Sequence, residues 1–166
     1  MPGSLWLDDE QMRAWQALLH GWALLEREIE RQLKRDAGLS HAQYEVLVRL
    51  AAAPGGIIRM TELADSLINS KSRLSYQIDQ LEKAGLVCRE PVPGDSRGVA
   101  AMLTARGRRE LEVAAPGHVA LVRALFVDVL TPAQLTAVAD GLGEVVRRIQ
   151  QPRSDSDTSL DRDRPE

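Results

Sequence analysis

The sequence predicts a mainly α chain with one small β-hairpin. Three observations carry this. Long stretches place apolar residues at spacings of three and four, the period of an amphipathic helix. Cap and stop residues bracket those stretches. Two short β-type runs, 86–90 and 99–103, flank a segment rich in Pro and Gly.

The elements follow in order. Residues 8–36 read as one long helix, favoured at its start by Asp8, Asp9 and Glu10. Trp15, Leu18, Leu19, Trp22, Leu25, Ile29 and Leu33 form one apolar stripe along it, and Gly38 ends it. Such a stripe must be buried, and with little chain elsewhere a second subunit is its natural partner. Ser40 begins the next helix with Gln43 as a capping box; Tyr44, Val46, Leu47 and Leu50 are its apolar positions, and Pro54-Gly55-Gly56 stops it. Residues 57–60 are a short extended link or a third small strand. Thr61 is expected to cap a short helix that buries Leu63, Ala64 and Leu67.

After a turn of about three residues, Asn69 or Ser70 opens another helix running from Lys71 to Ala84. Leu74, Ile78 and Leu81 face inward. The opposite face holds Asn69, Ser72, Tyr76 and Lys83, flanked by Arg73, Asp79 and Gln80. Gly85 fits a left-handed helix cap, with Leu86 folding back on Leu81. The two strands then enclose the loop 91–98, with Arg97 at its tip. Thr104 caps a helix over 104–130, which Pro116-Gly117 is expected to kink or break. Thr131-Pro132 starts the last helix, which runs to about Gln150. The acidic stretch 152–166 is expected to be disordered.

Composition narrows the function. The chain has 166 residues and a net charge of −3. Between Lys71 and Arg109, however, eight Lys or Arg face four acids, a local +4 in an acidic protein. Local potential steers a protein to nucleic acid, not the total. A helix-turn-helix followed by a hairpin with an arginine at its tip is suited to a major groove and its neighbouring minor groove. The chain is read as a non-enzyme: it has no phosphate-binding glycine loop, no nucleophile elbow and no metal-ligand spacing, and no cofactor is expected. His20, His41 and His118 are isolated in sequence. Cys88, the single cysteine, rules out an intrachain disulfide and reads as a small buried apolar residue rather than a redox switch. With no apolar run near a bilayer's span and no signal pattern, no membrane partner is expected and the chain reads as cytoplasmic.

The order of elements resembles the MarR family of bacterial transcription factors. The resemblance rests on Asp95-x-Arg97-Gly98-x4-Leu103-Thr104, Met60-Thr61-Glu62-Leu63-Ala64 and Leu81-Glu82-Lys83-Ala84-Gly85-Leu86-Val87, and covers about residues 10–150. It implies a winged helix-turn-helix flanked by N- and C-terminal dimerisation helices. Residues 1–37 and 105–150 would be the dimerisation helices, 38–104 the DNA-binding lobe and 151–166 a disordered acidic tail. It further implies a homodimer that binds a palindromic operator in double-stranded DNA, most often as a repressor. Ser70, Ser72, Arg73, Tyr76 and Gln77 would contact DNA from the helix, and Arg97 from the wing; Asp95 would hold that arginine or the wing in position. An anionic or aromatic small-molecule effector would sit near Trp15, His20, Trp22, Tyr44, His118 and Arg123. Two other readings remain at this point: a winged-helix adaptor that binds protein, and a ligand-independent DNA-binding activator.

Overall fold

The structure, a computed structural model, describes residues 6–67, 71–92, 94–95 and 97–151. These residues form two compact units that divide between Leu125 and Phe126.

The first unit opens with α1, Asp9–Ala37. Asp8 caps it, and Gln11 reciprocates with the Asp8 amide, so the start is a full capping box as well as an electrostatic one. Helix α2, His41–Ala52, carries the expected Ser40–Gln43 box. The extended link is the strand β1, Ile57–Arg59. Helix α3, Met60–Ser66, follows it directly. Thr61 is therefore inside the first turn of α3 and does not cap it. Arg59 is held in the sheet opposite Ala100 and occupies the cap position without a side-chain bond.

Helix α4 spans Lys71–Lys83. The expected cap at Asn69 or Ser70 lies outside the described residues. The other end is a Schellman motif. Gly85 adopts φ 71°, its amide bonds to Glu82 and the Leu86 amide bonds to the Leu81 carbonyl. Leu81 and Leu86 are both buried there. Strands β2, Val87–Pro91, and β3, Val99–Leu103, form the hairpin. Among the described residues, one antiparallel three-stranded sheet has the order β1-β3-β2. The core of this lobe is Val46, Leu47, Leu50, Leu63, Leu74, Ile78, Leu81 and Val87, all essentially inaccessible. Each such side chain contributes roughly 1.5–3 kcal/mol by leaving water. Together they hold α4 by one face and leave the other outward.

Helix α5, Ala105–Val122, is capped by Thr104. Of the kink or break expected at Pro116-Gly117, there is no break. The α-helix continues through Pro116, and the irregularity is a π-helical stretch at Arg123–Val127. A Cβ on Gly117 would lie 2.9 Å from the Gln32 amide nitrogen, so this pair serves a close approach of α5 to α1. Ile29 and Leu33 of α1 are buried with Tyr44 and Ala114 in a second small core.

The second unit carries α6, Pro132–Gln150. Thr131 caps it and Pro132 occupies the first turn, as the sequence implies, and Gln134 completes a capping box that is not among the expected features. The 152–166 stretch lies outside the described residues. No single helix among the described residues is long and apolar enough to cross a membrane.

Candidate nucleic-acid interface

Helix α4 presents what its sequence period demands. Leu74, Ile78 and Leu81 are buried at i, i+4 and i+7. Ser72, Arg73 and Tyr76 are exposed on the far side, with Tyr76 60% accessible, so it is not packed into the preceding helix. Gln77 is half-buried and turned toward the core side. Ser70 lies outside the described residues.

The wing tip is organised by Asp95. One carboxylate oxygen accepts the Arg97 amide at 3.1 Å, and the other accepts Nη1 of Arg59 at 2.9 Å. The Arg97 amide and the Arg59 guanidinium hold the Asp95 carboxyl below the usual carboxylate range. A Cβ on Gly98 would come within 2.6 Å of the same carboxylate, which explains the glycine of the Asp-x-Arg-Gly pattern. Asp95 thus holds the turn and not the Arg97 guanidinium, which is exposed and has no ion pair among the described residues. Contrary to the expectation of no elbow motif, Gly94–Gly98 does spell Gly-x-Ser-x-Gly, but the stretch lies between two antiparallel strands, whereas a nucleophile elbow turns a strand into a helix.

Two arginines that make cross-element ion pairs here are not legible as such in the sequence. Arg59 is one. Arg89 is the other: it extends from β2 to α4, donating to Asp79 at 2.5 Å and Glu82 at 2.6 Å. Burial opposes its charge, but these two carboxylates outweigh that and raise its pKa. Strand alternation relative to Cys88 was the available signal for Arg89. Cys88 itself is half-buried, not fully buried, and burial and Glu90 push its thiol up, which is the opposite of activation.

The expected effector residues divide. Trp22, Tyr44 and His118 join one chain of rings with His41, which the sequence does not single out. Ring centroids lie 6.5 Å apart for Trp22–His41, 6.1 Å for His41–His118 and 4.6 Å for Tyr44–His118. His41 Nδ1 is 2.7 Å from Glu26. Trp15 and His20 stand exposed further up α1, and Arg123 is exposed beyond the end of α5. Nδ1 of His118 is buried without a hydrogen-bond partner. No cluster of three or more His, Cys, Asp or Glu among the described residues could hold a metal ion.

Burial, and then the neighbouring His41, lower the pKa of His118. The folded protein therefore prefers neutral His118, and the unfolded chain takes up the proton first as pH falls below the ordinary histidine value of about 6.5. This contribution to stability is complete above that value and is lost as pH drops toward the folded one. Relative to His118→Asn, the wild type is expected to lose more stability in thermal melts as pH falls from neutral through about 6.5 and below. Parallel pH profiles would contradict this assignment.

Three comparisons bear on this arrangement. The MarR family profile matches residues 37–98. The chain is similar to Sco3205, a MarR family transcriptional regulator from Streptomyces coelicolor crystallised in complex with DNA. Identity is 40% and the TM-score 0.88, over 93% of this chain and 97% of that one. AbsC from the same organism, also a MarR family transcriptional regulator, is 39% identical with a TM-score of 0.84, over 88% of this chain and 98% of its own. The HTH-type transcriptional repressor YetL of Bacillus subtilis is 31% identical over 89 residues, which are 54% of this chain and 53% of YetL. The chain spans a little over half the length of the curated relatives it matches.

Proposed function

This chain belongs to the MarR family, and from that premise we propose that it is a homodimeric, sequence-specific DNA-binding transcriptional regulator. The observation that carries the reading is the outward face of α4. It exposes Ser72, Arg73 and Tyr76 in the same lobe that exposes Arg97 on a braced wing. Arg73 suits a bidentate contact to guanine, Ser72 and Tyr76 suit phosphates or base edges, and Arg97 suits a minor groove. The DNA-bound relative supports the same partner. YetL, named a repressor, supports repression as the mode.

The dimer rests on unpartnered apolar surface. Trp15, Leu18, Leu19 and Trp22 of α1 are 40–56% exposed. In the other unit, Leu142, Val145, Val146 and Ile149 of α6 are exposed at helical spacing. Contiguous exposed apolar surface of this kind marks a protein interface. Two copies related by a two-fold axis would set two α4 helices about 34 Å apart, matching successive major grooves of a palindromic operator. An effector would bind at the Trp22–His41–Tyr44–His118 cluster and favour one of two dimer shapes. The unpartnered His118 nitrogen offers it one hydrogen bond, and the nearby Glu26 favours an aromatic over an anionic ligand.

Fluorescence anisotropy on operator DNA, selected by the wild type from a random library, tests the reading at two salt concentrations. Arg97→Ala is expected to weaken binding and to flatten the salt slope by about one per wing, with the dimer intact. A mutant that binds like wild type would remove the wing from the interface.

A further inference from the structure

We propose that Arg89 is the residue that fixes the angle between α4 and the wing, so that both reach DNA as one rigid reader. The inference rests on the DNA-binding function proposed above. The backbone of Arg89 belongs to the wing: it sits in β2 opposite Ala101 of β3. Its side chain belongs to α4. Nη1 donates to Glu82 Oε2 at 2.6 Å, and Nη2 donates to Asp79 Oδ1 at 2.5 Å and to the Ser75 carbonyl at 3.4 Å. The Arg89 amide adds a bond of 3.1 Å to Glu82 Oε1.

Ser75, Asp79 and Glu82 form one stripe at i, i+4 and i+7. At 100° per residue that stripe runs between the buried Leu74–Ile78–Leu81 face and the exposed Ser72–Tyr76 face. A clamp there resists rolling of α4 about its own axis, the motion that would move Arg73 and Tyr76 across the groove. The planar fork of a guanidinium suits this task because it spans two carboxylates at once. The same contacts leave Arg89 unfit to grip DNA directly. Both terminal nitrogens are engaged, and the side chain is only 28% exposed. The Arg59–Asp95 pair braces the wing's tip, whereas Arg89 ties its stem to the helix.

The test is a double-mutant cycle in the full chain. Operator affinity is measured for wild type, Arg89→Lys, Arg97→Ala and the double variant, with dimer state and melting temperature recorded for each. Lysine keeps the charge opposite Asp79 and Glu82 but cannot span both. Arg89→Lys is expected to lower operator affinity roughly tenfold, and by less than about threefold when Arg97 is already alanine, since coupled residues are non-additive. Arg89→Met should repeat this pattern. An Arg89→Lys protein that binds like wild type would reduce Arg89 to charge compensation and overturn the proposal. Losses that multiply independently of Arg97 would overturn it equally. A wild type that selects no DNA would instead overturn the DNA-binding reading, and this inference with it.

Discussion

Replacing Gly107 with alanine is expected to destabilise the protein by about 3 kcal/mol, the upper part of the range for forcing atoms into a packed site. Gly107 lies in the first turn of α5, and its amide bonds to the cap oxygen of Thr104. A Cβ there would sit 2.1 Å from the Leu86 carbonyl oxygen and 2.8 Å from a methyl of Leu103. The carbonyl cannot move aside. It already accepts the Thr104 amide at 3.1 Å, and it follows the turn that ends α4, where the Thr104 hydroxyl donates to the adjacent Gly85 carbonyl at 2.8 Å. Alanine within a helix ordinarily gains about 1 kcal/mol over glycine, so the sign alone separates the contact from propensity. Urea melts at fixed protein concentration would measure the change. A neutral or stabilising result would mean that α5 is not seated this closely on the end of α4.

Leu19→Glu is expected to abolish the proposed dimer. Leu19 is 48% exposed in the single chain, within the Trp15–Trp22 stripe. An unpaired carboxylate buried at that seam costs about 3–5 kcal/mol per site. Light scattering should show the mass halved. Operator affinity should fall by two or more orders of magnitude, because a lone reading helix loses the second half-site. The lobe core lies elsewhere, so far-ultraviolet circular dichroism should barely change. A dimer that persists would move the interface off α1.

The effector reading and the Arg89 clamp meet at one physical point. Both require α4 to move as part of a rigid lobe. Helix α2 links the two sites: it contributes His41 and Tyr44 to the aromatic cluster, and Val46, Leu47 and Leu50 to the core beneath α4. A ligand that shifted α2 would therefore be felt at the reading helix. Close packing transmits such displacements with little loss.

Much of this was legible one residue at a time. The Ser40 box, the Thr131 cap, the Gly85 cap and the Leu74–Ile78–Leu81 face follow from local period and capping, which act over a turn or two of helix. The outward placement of Ser72, Arg73 and Tyr76 follows from the same period. Where local signals failed, a distant partner was the cause. Pro116 suggests a kink or break, but α5 continues through it, and Gly117 beside it lies against Gln32 of α1. Thr61 looks like a cap, but Arg59 is held by its β3 partner. Asp95 holds the wing turn, one of the two roles the resemblance implies, but its guanidinium partner, Arg59, is 36 residues away and has no local signal. His41 has no distinguishing neighbour in sequence, and its place beside Trp22 and His118 exists only once α1, α2 and α5 pack. Sequence by itself therefore determined the helices, their buried faces and the polar surface of α4, since these depend on spacing along the chain. Tertiary structure alone decided which charges brace the wing, which residue ties it to α4 and which rings gather around His118, since these depend on contacts that only packing closes.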